Sequence, residues 1–241
     1  MRSDLSRPAR VFVFSVVVLC AIPVVSDASV ITFTTRSAFD AAAPGLPTET
    51  FESGLVSAAA VTTCNGGLSA ASGSTCFPAA GLLSGVTYDA TGNIAPNMVV
   101  IGANYLGLGN ASTVIGARSM TDTLNIIFAN ASAVGFDFYP GFAAGDVLIS
   151  VFSPTNVALG FFRIAAGKGA NFFGITSDLS LIGRINVESQ STQPGELIDN
   201  LSFGIPSGPA VPEPASAWFV LTGLLLVAAG HLSRSGASRQ G

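Results

Sequence analysis

The sequence predicts an all-β chain: one antiparallel β-sandwich domain set between two apolar terminal segments. Three observations predict it. Short runs rich in Val, Ile, Phe and Thr recur, separated by stretches of Gly, Pro, Asn and Ser. Inside these runs the side chains alternate: Val134, Phe136 and Phe138 point one way and Gly135, Asp137 and Tyr139 the other. Finally, only 10% of the 241 residues are charged while 49% are hydrophobic, and the two ends hold the excess.

The first element is residues 1–28. Arg2, Arg7 and Arg10 precede an apolar run from Val11 to Val25, and Ser26-Asp27-Ala28 puts small residues at the −3 and −1 positions of a cut before Ser29. A charged start, an apolar centre and a small-residue cut describe a secretory signal peptide, removed by signal peptidase between Ala28 and Ser29. An uncleaved anchor helix is the competing reading, but the run is short of the roughly 20 residues that a bilayer needs. Cys20 lacks the small preceding residue that a lipoprotein signal wants.

Residues 29–205 form the domain. Strands are expected at Val30–Thr34, Leu124–Phe128, Val134–Tyr139, Val147–Phe152, Leu159–Ile164, Ala170–Ile175, Leu181–Val187 and Leu197–Phe203. Their length and spacing suit an antiparallel sandwich better than a parallel sheet with helices. One helix is expected, at Ser37–Ala43, stopped by Pro44. Residues 57–116 read as short strands and long loops, with apolar pieces at Val86–Tyr88 and Met98–Ile101.

After the domain come a linker at 206–214 and an 18-residue stretch, Ala215–Leu232, without Asp, Glu, Lys or Arg. At about 1.5 Å per residue this helix just crosses a bilayer core. Trp218 lies near its outer end, and Arg234 and Arg239 follow in the tail at 233–241. The positive-inside rule then leaves the domain outside and the tail in the cytoplasm.

Val211-Pro212-Glu213-Pro214, an apolar helix and a short arginine-bearing tail together resemble a PEP-CTERM sorting signal, found on exported proteins of Gram-negative bacteria. The resemblance covers about 30 residues, and the signal peptide at the other end gives it context. It implies a membrane-embedded exosortase as partner, processing near Pro212-Glu213-Pro214. It further implies export through the inner membrane, single-pass anchoring in the cell envelope, and passage to the cell surface or extracellular matrix. The runs Phe136–Tyr139, Phe172–Ile175 and Ile198–Gly204 resemble the exported domains often joined to such tails, which look jelly-roll-like and similar in outline to carbohydrate-binding modules. Extracellular polysaccharide is the partner this suggests. The alternative is a secreted carbohydrate-binding or glycan-active protein held permanently by its C-terminal helix.

The domain's own residues argue against catalysis. The formal charge of −4 offers no basic surface for nucleic acid. A single histidine, His231, stands beyond the domain, so no serine has a histidine base and no His-ligated zinc is available. No cofactor motif is present among the glycines, so no cofactor is expected. Scattered acids make some pair inevitable, and such a pair is no evidence of a glycosidase. Asp137, Glu196 and Asp199 are candidates for Ca²⁺, although no run has the dense carboxylate spacing of a calcium loop, and Asp199 and Asn200 equally suit strand-end hydrogen bonding. Cys64 and Cys76 are the only cysteines left after signal removal; an even pair in an oxidising compartment reads as a disulfide rather than a redox centre, which usually needs Cys-x-x-Cys. Tyr88, Tyr105 and Tyr139 can stack on sugar rings where exposed, and tyrosines in such a domain are more often part-buried. Asn110, Asn130 and Asn200 each begin an Asn-x-Ser triplet, taken as chance in a protein of bacterial appearance.

Overall fold

Every strand pairing is antiparallel, and the pairings divide the strands into two sheets. The structure, a computed structural model, describes residues 29–207 apart from 72, 93, 120, 179 and 190–195. The first sheet runs in the order β1 (Val30–Phe33), β12 (Asn171–Ser177), β9 (Ala133–Tyr139), β14 (Leu197–Gly204), β7 (Val114–Ala117), β6 (Met98–Ile101) and β3 (Val61–Cys64), with β2 (Thr48–Glu49) also paired to β14. The second runs β11 (Ala158–Ala166), β10 (Gly145–Phe152), β13 (Arg184–Ser189), β8 (Leu124–Phe128), β5 (Val86–Ala90) and β4 (Leu68–Ser69). The all-β, antiparallel sandwich expected from the sequence is therefore the architecture found.

Alternation builds the core between the sheets. Val134, Phe136 and Phe138 of β9 meet Val147, Ile149 and Val151 of β10 and Ile185 and Val187 of β13 in one buried cluster. Phe136 contacts Phe173 with ring centroids 5.7 Å apart. The sequence's loose stretch contains real strands: β5 is buried on alternate residues, while β6 and β7 are buried on every residue. A strand without a polar face has no period-2 signal, which is why β7 was not singled out. Leu181–Gly183, expected to open a strand, lies outside β13; Ile182 donates instead to Ala131 O and Gly183 to Phe152 O.

The single helix among the described residues, α1 (Arg36–Ala42), lies within a residue of its expected place. It is seated on the outer face of the first sheet chiefly by Phe39. Gly135 and Gly174 face each other across β9 and β12. A Cβ added at Gly135 would stand 2.7 Å from the Phe39 ring, and one at Gly174 2.8 Å from it. These two glycines make the hollow that Phe39 fills.

Cys64 and Cys76 form a disulfide, with S–S 2.05 Å and Cα–Cα 5.9 Å. Among the described residues no helix is long and apolar enough to cross a membrane. The signal segment 1–28, the Val211–Pro214 motif, the span 215–232 and the tail with Arg234 and Arg239 lie outside the described residues.

Candidate functional site

The outer face of the second sheet is open at Phe161 and Ile127 and closed over Ser150 and Asn186 Oδ1, and strand register sets its side chains in rows. One row crosses from Phe161 through Ser150, Asn186 and Asn125 to Asp89. The next crosses from Phe152 through Arg184, Ile127 and Thr87 to Ser69. At about 4.8 Å between strands, the six strands give a platform about 24 Å long. Phe161 is 64% exposed and Ile127 41% exposed. Phe152 meets Phe161 edge-on at 6.1 Å, and the Arg184 guanidinium lies 4.4 Å from the centre of the Phe152 ring. The Asn186 side-chain amide donates to Asn125 Oδ1. The second row leads into a hollow of about 500 Å³ lined by Ser69, Ser84, Gly85, Thr87, Ile127 and Ala129, among others. Flat aromatic surface beside amides, a guanidinium and hydroxyls can take a flat, hydroxyl-rich ligand: rings supply apolar contact, and fixed donors and acceptors supply orientation.

The outer face of the first sheet holds an acidic pair instead. Asp137 and Asp199 are register partners on β9 and β14. Beyond Asp199 the register of β14 shifts, and Asn200 adopts a left-handed backbone at φ 48°. That bulge turns the Asn200 amide toward Asp137 Oδ2, at 2.9 Å, while the Asn200 N–H donates to Asp199 Oδ1 at 2.7 Å. Ser112 Oγ donates to Asp199 Oδ2, and Arg36 of α1 pairs with Asp137 at 3.3 Å. Asp199 is fully buried. Burial pushes its carboxyl up to about 6; the hydrogen bonds from Ser112 and Asn200 pull the other way, and the charges of Asp137 and Glu52 push it further up. The neighbouring Tyr139 phenol is pushed up to about 12, first by burial and then by Asp199 and Asp137.

Of the three calcium candidates, the fold brings Asp137 and Asp199 together and gives Glu196 other work. Its Oε1 accepts the Ser189 N–H at 3.0 Å, tying the chain before β14 to the end of β13. Among the described residues no group of three or more His, Cys, Asp or Glu side chains is placed to hold a metal ion. Of the three tyrosines, Tyr88 is 0% and Tyr139 4% exposed, which removes both from any sugar-stacking role. Burial raises the Tyr88 hydroxyl well above its ordinary value, with Glu49 adding to it, and that hydroxyl has no hydrogen-bond partner among the described residues. Only Tyr105 keeps part of its ring at the surface. Asn110 is buried, and Asn200 is taken up by the bulge.

Sequence reasoning missed Phe152, Phe161, Arg184, Asn186 and Asn125. A signal was present: Phe161 and Phe162 are adjacent in one strand, so they cannot both face the core. Phe162 packs against the core, 5.4 Å from Phe173, and Phe161 faces out.

No family model matches the chain, and neither does any curated protein. Solved structures similar to it include a family 29 carbohydrate-binding module complexed with cellulohexaose, at 14% identity and a TM-score of 0.35, covering 60% of this chain and 89% of that one. A family 6 carbohydrate-binding module matches at 16% identity and a TM-score of 0.29, over 48% of this chain and 86% of that one. The enzymatically active domain of a tailspike protein from bacteriophage CBA120 matches at 18% identity and a TM-score of 0.30, over 50% of this chain but only 19% of its own.

Proposed function

We propose that this is an exported surface or matrix protein whose sandwich binds extracellular polysaccharide without catalysis, through the open outer face of the second sheet. One observation carries the binding half: an uncovered platform on which Phe161, Phe152 and the stacked Arg184 stand beside Asn186, Asn125 and Thr87. An apolar side chain 64% exposed at the start of such a row is a cost to a free domain and an asset to a bound one. The export half rests on the terminal sequences. In the sequence Val211–Pro214 directly precedes the apolar Ala215–Leu232 stretch, a place that an exosortase in the membrane would reach, and prolines on both sides of Glu213 favour an extended backbone. The Cys64–Cys76 disulfide supports an oxidising compartment.

Two measurements test this. In affinity electrophoresis against a panel of soluble polysaccharides, the full chain should be retarded by at least one glycan. Phe161→Ala combined with Phe152→Ala should weaken that binding about tenfold or more, at unchanged turnover of zero. Sustained hydrolysis of any glycan in the panel overturns the non-catalytic reading in favour of an anchored glycan-active enzyme. In an exosortase-bearing host, replacing Pro212-Glu213-Pro214 with three alanines should leave a longer, membrane-retained form. Identical fractionation of mutant and wild type with uncut tails makes the helix a permanent anchor.

A further inference from the structure

Three connections gather at one end of the sandwich: residues 102–113 between β6 and β7, 140–144 between β9 and β10, and 167–170 between β11 and β12. They touch one another. Tyr105 packs on Phe142 with ring centroids 6.3 Å apart, and a Cβ at Gly109 would come within 3.5 Å of Gly169 Cα. Between the first and the third lies a cleft of about 370 Å³, lined by Asn104, Tyr105, Gly107, Gly109, Asn110, Ala111 and Lys168. That volume is at the small end of the range for ligand pockets, about 300–1,000 Å³.

Both walls are held rigid by an asparagine. Asn110 is buried; its Nδ2 donates to Gly102 O and Ser112 O, each at 2.9 Å, and its Oδ1 accepts the Tyr105 N–H at 3.1 Å. On the other side Asn171 clasps the turn that presents Lys168. It accepts the Gly167 N–H at 2.9 Å and donates to Gly167 O at 2.7 Å and Gly169 O at 2.9 Å. Loops fixed in this way present a site at little ordering cost.

Lys168 is the only lysine of the chain. Each arginine among the described residues is engaged: Arg36 with Asp137, Arg163 with Asp146, Arg184 with Asn156 and the Phe152 ring, and Arg118 with Pro96 O. Lys168 alone among the described cations has no such partner, and it borders the cleft. Lys168 is exposed and hydrated in the free protein, so an anionic ligand gains from it an attraction that a neutral one does not. A phosphate, with about two charges and three strong acceptors, calls for more donors than one ammonium. A single negative charge fits.

We propose that this cleft is a second site that takes a sugar ring bearing a carboxylate, a uronate unit of a polysaccharide. Tyr105 meets the apolar face of the ring, Lys168 the carboxylate, and the exposed Asn104 side chain the ring hydroxyls. The choice of a sugar rests on the polysaccharide reading above; the choice of an acidic unit rests on Lys168 and the cleft.

The experiment is calorimetry on the full chain in detergent micelles, with trigalacturonate and galactotriose as probes and three variants. Wild type should bind trigalacturonate with an affinity that falls as salt is raised. Lys168→Gln should weaken it about tenfold, as loss of a charge-assisted hydrogen bond does, while Lys168→Arg keeps most of it. Phe161→Ala, on the open face, reports which of the two sites trigalacturonate occupies. Equal affinity of wild type and Lys168→Gln, or no binding by wild type, overturns the inference. If Phe161→Ala abolishes trigalacturonate binding and Lys168→Gln does not, the acid binds the open face: the inference fails and the polysaccharide reading stands. If the response follows Lys168 while no glycan responds to Phe161 and Phe152, the open-face reading fails and the cleft stands.

Discussion

Of the sandwich's two outer faces, one lies beneath α1 and the 102–113 connection, while on the other Phe161 and Ile127 stand exposed among the described residues. On the covered side, Phe39, Ala43 and Ala133 form one buried cluster and Val99, Ile101, Leu108, Val114, Tyr139 and Leu197 another. On the open side the corresponding positions are Phe161, Ile127, Thr87 and Asn125. Both faces use an arginine over a phenylalanine ring: Arg36 on Phe172 at 4.7 Å under cover, and Arg184 on Phe152 at 4.4 Å in the open. The same pair can serve different ends because burial, not residue type, decides how much of it goes into holding the fold. The covered face spends its polar groups on the domain itself. The open face pairs Asn186 with Asn125 and Arg184 with Asn156, and what it leaves to the outside is chiefly the apolar surface of Phe161 and Ile127.

The largest effect expected from this contrast is at Phe39. Phe39→Ala empties the hollow between Gly135 and Gly174 and should cost about 3–5 kcal/mol, as other buried Phe truncations do. Phe161→Ala removes a ring of similar size from the open face and should change stability by less than about 0.5 kcal/mol. Urea unfolding followed by near-ultraviolet circular dichroism measures both. Comparable losses would mean that the open face is as structural as the covered one.

How far the sequence could be read follows the same division. Strands with one wet face, such as β8 and β10, alternate visibly in the sequence, and β9 alternates in residue type although both its faces are covered. Strands buried on both sides, β6 and β7, lack a period, and the two-residue β2 is too short to carry one. That the outer face of β9 is covered could not be read from Gly135, Asp137 and Tyr139. The cover comes from residues 36–43 and 102–113, and only the fold brings them there. The acidic pair was half legible: Asp137 and Asp199 meet because two strands far apart in the sequence are neighbours in register, while Glu196 turns to β13. The open face was illegible as a site, since its members come from six strands and share no motif.

A second effect, of intermediate size, tests the buried acid. In the folded protein the Asp199 carboxyl sits at about 6, against an ordinary 3.8, so the native state holds its proton more tightly than the unfolded chain does. Asp199 therefore favours folding in full below about pH 3.8, loses that contribution as pH rises through the window from 3.8 to about 6, and opposes folding above it. Asn in its place has the same shape, can accept the Asn200 N–H and can pair with the Ser112 hydroxyl. Asp199→Asn should stabilise the protein by up to about 3 kcal/mol at pH 8, since each pKa unit corresponds to about 1.4 kcal/mol. The gain should vanish by about pH 3.8. Unfolding midpoints across this range measure it, and a gain independent of pH would show that the carboxyl is ionised at no cost.

The smallest effect is the most direct comparison, because it makes the same change on both faces. Arg36 pairs with Asp137 at 3.3 Å and donates to Ser202 Oγ at 3.0 Å and Asn200 O at 2.7 Å, so it fastens the start of α1 to the β14 bulge. Arg36→Gln breaks these contacts together and leaves Asp137 with only the Asn200 amide, at a cost of about 1–2 kcal/mol for part-buried, charge-assisted bonds. Arg184 stacks on Phe152 and donates to the exposed Asn156. A cation over a ring at an exposed site contributes about 0.5–1 kcal/mol, so Arg184→Gln should cost no more than that. Polysaccharide binding should reverse the order: Arg184→Gln should weaken it severalfold while Arg36→Gln leaves it near wild type. Thermal unfolding of the two variants, set beside affinity electrophoresis, reads both halves at once. If the two arginines cost the same in stability and neither affects binding, the open face is merely an uncovered surface.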